Sequence, residues 1–179
     1  RELGDNNHDS AIIRLLNRIV TWDGVNLHVE ADSRHREILI ESMGLSKSSK
    51  SVVTPGIKTK EGGSIKGADN FNPSMYRPLV ARAIFPSMYA VKELSKHMSD
   101  PGPEDWIAPK RLARYLVHRP RIVQTYAKQS APKNIEVWVG TDFAGCMTTR
   151  KSTSGEIVMY GNAGIRCWSN TQKCIALSS

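Results

Sequence analysis

The chain has 179 residues, enough for one domain or two small ones. Its 40% hydrophobic content excludes wholesale disorder, and no apolar run approaches the roughly 18–20 residues of a membrane span, so no membrane partner is expected. The 25 Lys plus Arg against 17 Asp plus Glu leave a formal charge of +8, which fits a polyanionic partner as readily as a basic, soluble surface.

The stretch from Arg1 to Ser10 is polar and lacks the apolar segment of a signal peptide. Opening on Arg rather than Met, it reads as a piece of a longer chain. Cys146, Cys167 and Cys174 form no Cys-x-x-Cys pair, so zinc ligation has little support and a reducing, intracellular compartment fits best.

Taken in order, Leu15 to Thr21 predicts an apolar-rich strand. Val25, Leu27 and Val29 alternate with Asn26, His28 and Glu30, the two-residue period of a half-buried strand. Trp22-Asp23-Gly24 between them predicts a tight hairpin turn. Asp32 or Ser33 can cap a following helix, whose apolar face carries Ile38, Leu39 and Met43 and which Gly44 stops. Residues 46–73, rich in Ser, Lys, Gly and Pro, read as a mobile linker. Val80 to Met98 carries helical spacing, with Val91, Leu94 and Met98 on one face and Pro86 interrupting it. A second helix follows, with Ala108, Leu112, Tyr115 and Leu116 on one stripe and Pro120 ending it. Pro109 fits there only if the helix starts near residue 108 or kinks. Ile135, Val137 and Val139 then alternate with Glu136 and Trp138 as a strand. Glu156 to Tyr160 and Ile165 to Ser169 are two more, joined by a turn at Asn162-Ala163-Gly164. Gln172 to Ser179 looks like a helix beginning.

Trp106 to Lys133 contains Lys110, Arg111, Arg114, Arg119, Arg121, Lys128 and Lys133 and no acid. Lys110, Arg114 and Arg121 are spaced to share part of a helix face, where cations would neutralise phosphates. The alternative is a solvated face of a helix packed on a core. Asp142 stands at a strand's end, where metal-dependent nucleases place carboxylates; several must converge to hold two Mg²⁺ ions, and a lone Asp is more often a turn residue. The five histidines, His8, His28, His35, His97 and His118, show no metal spacing.

Ala90-Val-Lys-Glu-Leu-Ser-Lys-His-Met-Ser, Asp105-Trp106 and Lys110-Arg-Leu-Ala-Arg-Tyr-Leu116 resemble the region that follows the palm in copia-type retrotransposon polyproteins. Thr141-Asp-Phe-Ala-Gly-Cys146, Thr149-Arg-Lys-Ser-Thr-Ser-Gly155, Trp168-Ser-Asn-Thr-Gln-Lys and Ala176-Leu-Ser-Ser179 resemble the opening of that family's ribonuclease H. Leu16-Asn-Arg-Ile-Val20, Asp23-Gly24, Glu30-Ala-Asp32, His35, Thr54-Pro-Gly56 and Tyr76-Arg-x-Leu-Val80 resemble the stretch just after its polymerase active site. The resemblance runs from about residue 13 to the end. It implies RNA-directed DNA synthesis coupled to hydrolysis of RNA–DNA hybrids, a Mg²⁺ cofactor, and as partners the rest of the polyprotein and an RNA–DNA hybrid or DNA. It places the metal-ligand Asp at position 140, where this chain has Gly, leaves Asp142 as the candidate catalytic and metal residue, and adds Arg150 and Lys151 to the candidate nucleic-acid contacts.

The departures matter. Where the family reads Asp-x-Asp, its first Asp aligns with Gly140 and only Asp142 remains. The segment Ala83 to Tyr89 is shorter than the family's helix. The paired polymerase aspartates belong before Arg1, and the helix with the catalytic Glu beyond Ser179. Catalysis by this chain alone is therefore not expected, and a non-enzymatic nucleic-acid-binding module or a relic without function stand as alternatives.

The expected fold is α+β. It comprises a hairpin–helix unit at 1–45, a linker at 46–73, a helical connection at 74–130 and a truncated ribonuclease H-like antiparallel sheet at 131–179. An exposed apolar face and edge are expected on that sheet.

Overall fold

A computed structural model describes residues 2–56, 72–82, 88–119, 121–146 and 149–175. They form a mixed α+β structure with two antiparallel sheets, four α-helices and one short 3-10 helix. The chain divides into two packing units, one of residues 1–31 with 123–179 and one of residues 32–122. The first hairpin thus groups with the carboxy-terminal sheets, and the helix after it with the other helices, across the boundaries drawn from the sequence.

In the first unit, β1 (Ile12–Leu15), β2 (Arg18–Trp22), β3 (Leu27–Ala31) and β4 (Val123–Tyr126) pair antiparallel in chain order. The strand expected over Leu15 to Thr21 is two strands. Leu15 pairs with Arg18, and Leu16 and Asn17 make the two-residue turn between them with φ of 48° and 61°. Asn17 suits that backbone but leucine does not, so only half of the turn signal is present there. The next connection is wider than the tight turn expected. Trp22 pairs with Leu27, and Val25 lies in the loop, not in a strand. The Asp23 side chain builds that loop, accepting from Val25 N at 2.9 Å and Asn26 N at 2.6 Å. The Asp-Gly signal marked the right place but not its length.

The second sheet is β5 (Ile135–Thr141), β6 (Thr153–Tyr160) and β7 (Ala163–Thr171), antiparallel in chain order. β6 begins three residues before the expected Glu156, because Gly155 and Ser154 pair with Gly140 and Thr141. The turn after it is Gly161-Asn162, since Tyr160 pairs directly with Ala163. An irregularity in pairing falls at Val158/Met159 opposite Gly164 and Arg166. Residues 172–175 are not helical, and 176–179 lie outside the described residues.

The second unit holds the apolar core. α1 (Ser33–Ser42) starts where Asp32 Oδ1 accepts from Arg34 N at 3.1 Å, and Gly44 follows it with φ of 64°. That cap and stop are as expected. α2 (Pro73–Arg82) was not expected to begin so early, because Pro78 lies inside it. Asn72 caps it, its Oδ1 accepting from Ser74 N at 3.0 Å. Burial of Tyr76, Leu79 and Val80 outweighs the proline penalty of roughly 3 kcal/mol. α3 (Met88–Ser95) buries Ala90 and Leu94, with Val91 and Met98 partly buried against the core, so the expected face is correct. The expected break at Pro86 lies outside the described residues. A 3-10 helix (Pro103–Trp106) runs into α4 (Ile107–Val117), which places Pro109 in the first turn, where a missing N–H costs nothing. The buried stripe of α4 is Pro109, Leu112, Ala113 and Leu116; Ala108 is exposed and Tyr115 only half-buried, contrary to expectation.

Tyr76, Leu79, Leu39 and Leu112 are fully buried together, and the Tyr76 hydroxyl donates to Leu94 O at 3.0 Å. Of the expected linker, residues 57–71 lie outside the described residues. Residues 46–56 are held to the helices: Arg111 Nη2 donates to Thr54 Oγ1 at 2.8 Å, and His118 Nε2 lies 3.3 Å from Ser49 O. No helix among the described residues is long and apolar enough to cross a membrane.

Leu112→Ala is expected to lower the stability of this unit by about 2–5 kcal/mol in denaturant unfolding. The same truncation at exposed Leu16 should change it by less than about 0.5 kcal/mol.

Candidate functional site

β5 ends at Thr141 and delivers Asp142 to the start of the loop that leads to β6. Asp142 N donates to Thr153 O at 3.1 Å, and Asp142 Oδ1 accepts from Thr153 N at 2.6 Å. Main chain and side chain of one residue therefore clasp the base of the loop. A Cβ at Gly145 would fall on the Asp142 carboxylate, so the loop backbone packs directly against that group. Ala144, with φ of 49°, donates its N–H to Ser152 Oγ at 3.0 Å. Ser152 is 2% exposed and is a second clasp. Cys146 N donates to Lys151 O at 3.1 Å and Arg150 N to Cys146 O at 2.8 Å. Across the sheet, Gln172 Nε2 donates to Thr141 Oγ1 at 3.1 Å and to Ser154 Oγ at 3.0 Å.

These residues fit a divalent metal pair poorly. Among the described residues no group of three or more His, Cys, Asp or Glu is placed to hold a metal ion. Gly140 supplies no ligand atom, although the space where its side chain would stand is open. Asp142 offers one carboxylate, and one of its oxygens is committed to Thr153.

The basic residues fall in different units. Lys110, Arg111, Arg114, Arg119 and Arg121 belong to the helical unit, and Arg150 and Lys151 to the unit that carries Asp142. Lys110 and Arg114 stand one turn apart on α4, half-buried and exposed respectively, away from the buried stripe. Arg111 is half-buried and ties Thr54 to the helix. Arg121 lies past the end of α4 and does not share its face. Arg119 stacks on the Tyr115 ring at 4.4 Å. Arg150 is exposed with φ of 56°, and Lys151 is half-buried.

One polar network escaped the sequence reading. His28 Nε2 lies 2.8 Å from Asp23 Oδ2, and His28 Nδ1 lies 3.0 Å from Thr125 Oγ1. The two ends of the His28–Thr125 contact are 97 residues apart, and β4 itself was not expected, so no spacing could have revealed it. The Asn26 and Val25 N–H groups and the His28 ring hold the Asp23 carboxyl well below the usual carboxylate range. The arrangement has the order hydroxyl, imidazole, carboxylate. It also ties β4 to β3, whose residues His28 and Thr125 are directly paired.

Three of the curated proteins that the chain is similar to bear on its origin. It is 39% identical over 94 residues to the secreted RxLR effector protein 161 of Plasmopara viticola, over 50% of this chain and 63% of that protein. It is 31% identical over 91 residues to the retrovirus-related Pol polyprotein from transposon TNT 1-94 of Nicotiana tabacum, over 51% of this chain and 7% of the polyprotein. It is 32% identical over 114 residues to the retrovirus-related Pol polyprotein from transposon RE2 of Arabidopsis thaliana, over 60% of this chain and 8% of the polyprotein. The chain is of retrotransposon-related origin. It spans less than two thirds of the effector's length and under a tenth of each polyprotein. No family model matches it, and no solved structure matches it.

Asp142→Ala should cost about 1.5–3 kcal/mol, the value of a hydrogen bond to a charged group, and should speed exchange of the Thr153 amide while leaving the amides of α4 unchanged. Hydrogen exchange read residue by residue checks this. For Asp23 the sign follows from its lowered folded value. Its contribution is complete above about pH 4 and is lost as pH falls through the depressed value. Acid titration of the fold should therefore show a shallower loss below about pH 4 in Asp23→Asn than in the parent chain.

Proposed function

We propose that this chain is a piece of a copia-type polyprotein running from the end of the reverse transcriptase into the start of ribonuclease H, and that it cuts no RNA–DNA hybrid by itself. The observation that carries this is the Asp142 carboxylate, whose Oδ1 accepts from Thr153 N at 2.6 Å beside a glycine at 140. Two-metal phosphodiester hydrolysis needs several carboxylates converging on ions about 4 Å apart. One clasped carboxylate cannot hold that pair. Losing a single charge-stabilising group from such a site typically costs a factor of hundreds. The similarity to two transposon polyproteins and the ordered motifs from Thr141 to Gly155 support the family reading.

A second reading, a module that grips nucleic acid without chemistry, rests on Lys110 and Arg114. They project from α4 away from its core, next to the Arg119–Tyr115 stack. Such cations bind phosphate without regard to sequence, by releasing counterions.

Incubating the purified chain with an RNA–DNA hybrid and Mg²⁺ or Mn²⁺ should give no cleavage above background. Metal-dependent cleavage that Asp142→Asn abolishes would overturn the proposal. In the same assay format, hybrid binding should weaken with salt, and the double variant Lys110→Glu with Arg114→Glu should flatten the logarithmic salt slope by about 2. Absence of binding at low salt removes the second reading.

A further inference from the structure

We infer that Thr54 is a phosphorylation site, used by a kinase that selects proline after the acceptor, and that Arg111 receives the phosphate and clamps residues 46–56 onto α4. The inference is independent of the polyprotein reading and lies wholly within the helical unit. Pro55 follows Thr54 directly, and of the 9 prolines in the chain it is the only one preceded by Ser or Thr. A residue before proline is biased to extended backbone, the shape that a kinase cleft takes. Thr54 is exposed. Its hydroxyl accepts from Arg111 Nη2 at 2.8 Å and donates to none of the described residues. The oxygen to be modified is therefore reachable and already stands against a cation.

Only part of that cation is used. Arg111 Nε is buried and has no acceptor among the described residues, while Nη2, on the same side of the guanidinium, is given to Thr54. A buried donor left unpaired is costly, and one hydroxyl oxygen does not satisfy both N–H groups. A phosphate on Oγ1 brings three acceptor oxygens and close to two negative charges. Two of those oxygens can meet Nε and Nη2 as parallel, charge-assisted hydrogen bonds. Arg114 is exposed one turn further along α4 and adds a second cation. No acid lies between Glu41 and Glu61, nor from Trp106 to Lys133, so neither stretch supplies a competing carboxylate.

The segment is already seated where the clamp would act. His118 Nε2 lies 3.3 Å from Ser49 O, and a Cβ at Gly56 would stand 3.5 Å from that of Ala90. The segment thus runs back along α4, from His118 to Arg111, and ends on α3. In the modification Thr54 Oγ1 attacks the γ-phosphorus of ATP and the bond to the β,γ-bridging oxygen breaks. ADP leaves, and the hydroxyl proton passes to the kinase's base.

Incubating the whole chain with Mg–ATP and a mitogen-activated protein kinase should place phosphate on Thr54, read by peptide mass mapping. Thr54→Val, of the same shape, should lose that phosphate. In a ³¹P NMR titration the second ionisation of the phosphate should fall at least about half a unit below its usual value of about 6, because the guanidinium favours the dianion. Arg111→Gln should return it to about 6. Arg111→Lys, which keeps a cation but not the paired N–H groups, should recover only part of the shift. Phosphorylation should also slow amide exchange across residues 49–56 about tenfold in the parent chain and not in Arg111→Gln. Circular dichroism of each variant confirms that the helices are kept. No phosphate on Thr54, or a phosphorylated parent whose ionisation and exchange match those of Arg111→Gln, would overturn the inference.

Discussion

The burial of Tyr76, Leu79, Leu39 and Leu112 against one another is the constraint from which the rest of this molecule follows. Removing these side chains from water supplies roughly 1.5–3 kcal/mol each, and Tyr76 satisfies its hydroxyl on Leu94 O inside the same cluster. Its ring lies 6.4 Å from that of Trp106, and burial pushes its phenol above the usual range. Prolines 73 and 109 stand in the first turns of their helices and lose no helical bond, and the cluster outweighs the one lost at Pro78. Every residue of the buried core falls between Leu39 and Leu116. In the unit of two sheets, the buried residues among those described are Ala144 and Ser152. That unit is held mainly by backbone ladders and by clasps such as Asp142–Thr153.

This asymmetry bears on function. A sheet with exposed Ile135, Val137, Trp138 and Val139 has apolar surface still to cover. A carboxylate at the end of an exposed strand has two uses open to it, gathering a cation with other acids or closing a turn. With the Thr153 nitrogen 2.6 Å from its Oδ1, Asp142 closes a turn here.

Some of this was legible in the residues alone. Asp32 and Gly44 bracket α1 because a cap and a left-handed stop are chemical signals carried by single side chains. Alternation from Ile135 to Val139 announced β5. The missed features depend on partners distant in the chain. β4 is too short and polar to announce itself and exists because β3 offers it an edge. Leu16-Asn17 turns although leucine suits the left-handed backbone poorly, because the pairing of Leu15 with Arg18 demands it. The early start of α2 was hidden by Pro78, whose penalty the buried cluster absorbs. At the site, the Asp142 position was readable, but its bond to Thr153 required the β5–β6 register. The anchoring of Arg111 on Thr54 likewise depends on how residues 46–56 pack.

The most direct test of the central claim, that Asp142 serves the backbone and not a metal, is a Mg²⁺ titration followed by NMR at the Asp142 carboxylate carbon and the Thr153 amide. Neither signal is expected to shift in a saturable way up to about 10 mM Mg²⁺, because a lone carboxylate does not build the octahedral site this ion demands. A saturable shift at both, with Thr153 losing its protection as Mg²⁺ takes the carboxylate, would contradict it.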